Sequence, residues 1–305
     1  MGNKVMIVGT GNVGASIAFA LINQRTVVHE LILTDLDIAD AEGEAMDLSD
    51  ALATAPSFLH IKTRDYTAAK DCQVCIITAG ANQKPGETRT ELVQKNAKII
   101  TSITEQIMQN GFNGIFLIVS NPVDTLTQLI QKVSGLPPER VIGSGTVLDS
   151  ARLRFELATK LNIHPKSVHA YQVGEHGDTE LALWSLANAG GEKITRLFKP
   201  TELAKIENNV RNKAYEIINR KGATYYGIGA AIIQILNSIL NDERRILSVS
   251  NYDDFNNIYY GYPAVVGRAG IHQRLELELS ETEGIKLQKS INAIRQTLTN
   301  INHKD

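Results

Sequence analysis

His176, in the run Glu175-His176-Gly177-Asp178, is a side chain that can gain or lose a proton near neutral pH. Asp149 and Arg152, three residues apart at the expected start of a helix, project from one helix face. Arg89 stands in a stretch rich in glycine and charge, ANQKPGETRTEL. Hydride transfer to a 2-keto acid needs a proton donor for the developing alkoxide, a cation for the carboxylate and a group that polarises the carbonyl. His176, Arg152 and Arg89 are residues of those three types.

A site for the hydride carrier is legible near the start of the chain. Gly9-Thr10-Gly11-Asn12-Val13-Gly14 fits G-x-G-x-x-G between an apolar run at 5–8 and helical spacing over 15–22. Gly9 permits the turn, Gly11 lets the backbone approach a pyrophosphate, and Gly14 lets helix and strand pack closely. Asp35 ends the next apolar run about twenty residues on, where a carboxylate can accept the ribose hydroxyls. Its charge repels a 2′-phosphate, so the expected cofactor is NAD rather than NADP.

The elements that must hold these residues fall into two halves. Strand-like runs at 5–8, 31–34, 74–78, 115–119 and 141–142 alternate with helical stretches at 15–22 and 41–53, which predicts a doubly wound parallel α/β sheet of the Rossmann type. Residues 1–145 are expected to form this NAD-binding domain. Residues 146–305 are expected to form an α+β catalytic domain, with a long helix from near Asp149, further helices at 202–218 and 225–240, and strands at 246–249, 264–266 and 275–279. No Pro/Ser-rich linker divides them, so a broad interface is expected.

ITAGANQKPGETR, SNPVD, GSGTVLDSARLR, GEHGDTE and KGATYYGI, in that order, closely resemble the L-lactate dehydrogenase branch of the lactate/malate dehydrogenase family. The resemblance runs from the first glycines to about Arg268. It implies that His176 is the acid/base and that Asp149 orients it. Arg152 would fork onto the substrate carboxylate, Arg89 would polarise the carbonyl from a closing loop, and Asn121 would hydrogen-bond near the reacting carbonyl. Thr224 and Ile228 match positions that line the substrate and nicotinamide pockets, and Gln83 matches the position that faces the far end of the substrate. The pair implied is pyruvate and lactate. Arg154 and His169 match positions at which allosteric bacterial relatives bind fructose 1,6-bisphosphate across a subunit interface, which would make the protein a homotetramer. Two positions depart from the family pattern: Ala182 stands where Pro is common, and Lys213 stands where a small residue near the pocket is expected.

Physical chemistry agrees with these roles. A guanidinium grips a carboxylate through two parallel hydrogen bonds and fixes its plane, as a lysine cannot. A buried Asp beside His raises the imidazole pKa, so the ring enters reduction as a donor. Malate and branched-chain 2-hydroxy-acid dehydrogenases remain rival readings, as do a metal-using NAD-dependent glycoside hydrolase and a non-catalytic NAD sensor. No metal-ligand set is read in the sequence.

The 305 residues carry a formal net charge of -2, with 43% hydrophobic and 21% charged residues. That balance offers no basic field for nucleic acid or an anionic membrane. The first residues run straight into the glycines and no apolar stretch is long enough to span a bilayer, so a cytoplasmic protein is expected. Cys72 and Cys75, read as sitting three apart on one strand, are expected to face opposite ways and to serve as core packing.

Overall fold

The structure, a computed structural model, describes residues 2–81, 86 and 88–302. In the first half β1 (Asn3–Val8), α1 (Asn12–Ile22), β2 (Val28–Thr34), α2 (Ile38–Leu52), β3 (His60–Thr63), β4 (Val74–Ile77), α3 (Arg89–Gln109), β5 (Ile115–Ile118), α4 (Val123–Ser134) and β6 (Val141–Gly143) follow one another. The six strands pair in parallel in the order β3-β2-β1-β4-β5-β6. The order reverses between β1 and β4, where the loops at the carboxyl ends of neighbouring strands part and leave a crevice.

Alternation of side chains explains why such continuous apolar runs are needed. Val5, Ile7, Leu31, Leu33, Ile76 and Leu117 join one core cluster, while Met6, Val8, Ile32, Cys75, Ile77 and Phe116 join another on the opposite face. Helix α1 packs Ile17 and Leu21 on the first face; α3 and α4 pack Ile100, Ile107, Leu126 and Ile130 on the second.

The second half comprises α5 (Val147–Leu161), β7 (Val168–His169), β8 (Gln172–Val173), β9 (Leu181–Ala182), β10 (Asn188–Ala189), β11 (Glu192–Lys193), α6 (Ile194–Leu197), α7 (Pro200–Lys221), α8 (Tyr226–Leu240), β12 (Arg245–Asp253), β13 (Ile258–Gly267), β14 (Gly270–Arg274) and α9 (Glu281–Asn302). Strands β12 to β14 are antiparallel and attach to β6 where Ser250 faces Gly143, extending the sheet to nine strands. A Cβ on Gly143 would stand 2.7 Å from that of Ser250, so the junction has no room for one. Helix α8 returns to the first face of the sheet beside α1, burying Ile232, Ile235, Leu236 and Ile239 in the same cluster as Val5 and Ile7.

Two expectations need correction. Residues 275–279 are not a strand: Leu275, Leu277 and Leu279 do turn inward while Glu276 and Glu278 stay exposed, but after the Leu275 N–H bonds to the Pro263 carbonyl the run pairs with no strand among the described residues and leads on to α9. Cys72 lies ahead of β4 at the end of a short 3-10 helix (Tyr66–Asp71), so both cysteines, buried and free, join the same face instead of opposite ones. Lys213 departs from the family pattern without entering the pocket: its side chain is exposed, as a solvated lysine is expected to be, and its neighbour Ala214 is the small side chain at the pocket.

Candidate active site

The glycine loop leads from β1 into α1 at the crevice. Gly9 has φ of 98°, a conformation open to glycine, and a Cβ on Gly14 would run into the Gly9 carbonyl oxygen. Gly11 has nothing within 4 Å of where a Cβ would stand. It lines a cavity of about 1150 Å³ with Thr10, Asn12 and Asp35, at the positive end of α1. Asp35 is half-buried, and its Oδ2 accepts from the Thr10 N–H at 2.6 Å and from the Thr10 hydroxyl at 3.1 Å. These residues fit a dinucleotide: an open glycine at a helix N-terminus for the pyrophosphate, and a carboxylate pinned at the end of β2 for a ribose. Val13, and Ile228 on the first turn of α8, are half-buried and pack against the edge of the first core cluster. Thr224 is half-buried in the connection between α7 and α8.

A second cavity, of about 240 Å³, lies between the two halves and is lined by Asn121, Asp149, Arg152, His176, Glu180 and Ala214 among others. The charged groups meet there because α5 starts at the carboxyl end of β6 and presents Asp149 and Arg152 on one side. Asp149 is 2% exposed. Its Oδ1 accepts from Arg152 at 3.0 Å and its Oδ2 from His176 Nδ1 at 2.7 Å, so both oxygens are engaged. His176 is pushed up to about 9, chiefly by the Asp149 charge, against the opposing effect of burial. Asp149 is held below its ordinary value by His176 and Arg152, which outweigh its desolvation. With Nδ1 committed to Asp149, Nε2 is the ring nitrogen free to exchange a proton.

Asn121 precedes a cis peptide to Pro122 and its carbonyl accepts from Asn96 at 3.4 Å. Gln83 and the Arg89 side chain lie outside the described residues; the backbone of Arg89 opens α3, behind a capping box of Thr88 and Glu91.

Several side chains that hold this site have no role in the sequence reading. Asp124 on α4 accepts from the His176 backbone N–H at 2.9 Å and from the Ser250 hydroxyl at 2.6 Å, tying the histidine to the first half and to β12. Burial raises Asp124 to about 6. Ser290 on α9 accepts from the Glu175 N–H at 2.7 Å. Asp124 stands inside SNPVD, a motif quoted for its asparagine, whereas Ser290 lies beyond the last recognisable motif and carries no signal.

Arg154 and His169 come together on a third cavity, of about 440 Å³, with Lys166 and Arg245. Arg154 is half-buried and donates to the Ala170 carbonyl at 3.2 Å. Burial lowers its pKa, and Arg245 adds to that. Four residues of cationic type thus line this cavity, where two were expected.

Comparison with known proteins agrees with this geometry. Residues 3–143 match the lactate/malate dehydrogenase NAD binding domain, and residues 146–305 match the lactate/malate dehydrogenase alpha/beta C-terminal domain. The chain is 50% identical over 306 residues to L-lactate dehydrogenase 1 of Bacillus cereus, covering 97% of each. Among solved structures, a lactate dehydrogenase enzyme from a Medee basin deep-sea metagenome library is 46% identical with a TM-score of 0.96, covering 99% of this chain and 100% of that one. The minor L-lactate dehydrogenase of Enterococcus mundtii in its ligands-bound form is 42% identical with a TM-score of 0.97, covering 99% of each. Glycine loop, proton pair and guanidinium thus sit on a framework shared along the whole chain, which belongs to the lactate/malate dehydrogenase family.

Proposed function

We propose that the protein is an NAD-dependent L-lactate dehydrogenase, interconverting pyruvate and L-lactate. The observation that carries this reading is Asp149 at the centre of the site, with one oxygen on Arg152 and the other on His176. Arg152 is left with a fork to take the substrate carboxylate, which fixes the plane of the keto group. Gly11, Asn12 and Asp35 would hold NAD, which would supply hydride chemistry at the substrate carbon. His176 enters reduction as imidazolium and delivers its proton from Nε2 to the carbonyl oxygen, while Asp149 keeps the ring oriented. In oxidation the neutral ring takes that proton back. Arg89 polarises the carbonyl, Asn121 steadies it, Thr224 and Ile228 border substrate and nicotinamide, and Gln83 meets the far end of the substrate. A boundary near 145/146 separates the cofactor half from the catalytic half, and the cytoplasm is the proposed compartment.

A panel of keto acids with NADH tests the reading. Pyruvate should give the highest kcat/KM, ahead of oxaloacetate and 2-ketoisocaproate, and His176→Ala should lose at least ~10²-fold of turnover with NADH binding retained. Preference for oxaloacetate, or undiminished turnover in the variant, would overturn it.

The cavity at Arg154 and His169 supports fructose 1,6-bisphosphate as an effector. Two subunits related by a two-fold axis would bring their cations around one bisphosphate, and the pull would favour the assembled, tetrameric form. Millimolar effector should raise activity at subsaturating pyruvate, and His169→Ala should abolish the rise. Identical saturation curves with and without millimolar effector would refute this part alone.

A further inference from the structure

Glu180 is a carboxyl at 3% exposure on the wall of the substrate cavity, and the proton chemistry above does not use it. It immediately precedes β9, which pairs antiparallel with β8. Donor or acceptor atoms of Glu180, Asp149 and His176 all lie within 4.8 Å of one another. Asp149 has already given both oxygens to Arg152 and His176, so this cluster is built around protons rather than a cation. Glu180 Oε1 accepts from Nε2 of Gln172 on β8 at 3.0 Å.

Gln172 is itself fully buried, and its amide oxygen has no hydrogen-bond partner among the described residues. Leaving such an acceptor unsatisfied is costly. The Gln172 backbone is fastened through its N–H to Ser150 Oγ at 2.9 Å, and its carbonyl takes the hydroxyls of Thr146 and Ser248. A residue anchored so firmly, with one end of its amide left unpaired, is held to aim the other end at Glu180.

The charged groups around Glu180 come from four elements. Helix α5 brings Asp149 and Arg152, and the segment leading to β9 brings Glu175, His176 and Asp178. Helix α7 brings Arg211, which donates to the Glu180 backbone carbonyl at 3.1 Å and pairs with Glu207 at 3.5 Å, so its charge is partly spent. The same helix brings Tyr215, bonded to Asp178 at 2.8 Å. From α4, Asp124 adds a further carboxyl behind the His176 backbone. Burial, followed by the Asp149 charge, pushes Glu180 up to about 8. At neutral pH it is therefore mostly protonated, and on the alkaline side it becomes a second negative charge beside the imidazolium.

We propose that Glu180, aimed by Gln172, is a positioning residue for the acid: its carboxylate keeps the proton on His176 and extends keto-acid reduction to higher pH than Asp149 alone would allow. The inference rests on His176 being the acid. Glu180→Gln keeps the shape and removes the charge. The alkaline limb of kcat/KM for pyruvate should then move toward neutrality by about one pH unit, the low end for charges about 4–6 Å apart. The loss would grow from small at pH 6.5 to about tenfold near pH 9.5. Gln172→Met removes the donor that favours the Glu180 carboxylate, so the limb should move the same way by a smaller amount. The His176 ring resonance, titrated by NMR in each variant, should shift in parallel.

Limbs and ring titrations superimposable on the wild type in both variants would overturn the proposal. So would a loss equal at every pH with the His176 titration unmoved, which marks a purely structural role. Should Glu180→Gln fail to fold, Gln172→Met decides by the same two readouts. His176→Asn, run alongside, separates the two readings: turnover retained there refutes His176 as the acid, whereas a dead variant with unmoved limbs elsewhere refutes only Glu180.

Discussion

Replacing Asp149 by Asn removes the charge on which the proposed proton chemistry depends and leaves a side chain of the same shape. His176 stands at about 9 against an ordinary 6.5, a preference for the imidazolium of about 3 kcal/mol, and the Asp149 charge is its largest cause. Without that charge, burial pulls the ring to 6.5 or below. The protonated fraction at pH 7.5 then falls from nearly all to about a tenth or less, so kcat/KM for pyruvate should drop at least about tenfold from protonation alone. The sign is fixed by the reaction: reduction needs the proton on His176, so activity is full below the pKa and lost as pH rises through it. The variant should therefore recover part of its deficit at pH 5.5. KM for pyruvate should rise as well, because Arg152 loses its ion partner at 3.0 Å. Initial rates followed by NADH absorbance from pH 5.5 to 10 provide the assay. An alkaline limb that stays near pH 9 in the variant, or a deficit equal at every pH, would refute the reasoning.

The glycine loop offers a paired test. Gly11→Ala places a methyl in open space and should weaken NADH binding at least about tenfold with Tm unchanged, whereas Gly14→Ala meets the Gly9 carbonyl and should lower Tm; fluorescence titration and thermal melts read the two. Asp124→Ala leaves the His176 N–H and the Ser250 hydroxyl without an acceptor, at about 1–3 kcal/mol for each buried donor, and should lower both urea stability and kcat. Gln83→Arg should move preference from pyruvate toward oxaloacetate by supplying a cation for the second carboxylate, and unaltered selectivity would show that this residue does not read the substrate.

The sequence was most legible where one local rule decides the structure. The apolar runs of β1, β2, β4 and β5 are buried on both faces and stand out as runs, and Gly9, Gly11 and Gly14 have roles that follow from the absence of a Cβ. Asp149 and Arg152 were readable as a pair through helix periodicity. Tertiary packing was not. The alternation at 275–279 looks like a strand because an extended segment that packs on a helix alternates in the same way. β3 is short, with no fully buried residue, so it lacks the run that marks its neighbours. Glu180 closes the GEHGDTE motif, but its burial against Gln172 is legible only once β8 and β9 are paired, since a Glu in sequence reads as a surface charge.

The return of α8 to the face of β1 has a consequence for how the chain is made. Ile232, Ile235, Leu236 and Ile239 close a cluster whose other members include Val5, Ile7 and Ile17, more than two hundred residues earlier. While the chain is being synthesised, this face of the sheet has only α1 and Leu48 of α2 to cover it, and stays partly open until α8 has emerged. Until β12 arrives, β6 also presents an unpaired edge. Chaperones would meet the nascent chain in that interval, and truncations before α8 should collect in aggregates rather than as a small NAD-binding protein. The same dependence means that NAD, gripped by the first half, stabilises the catalytic half through one shared transition.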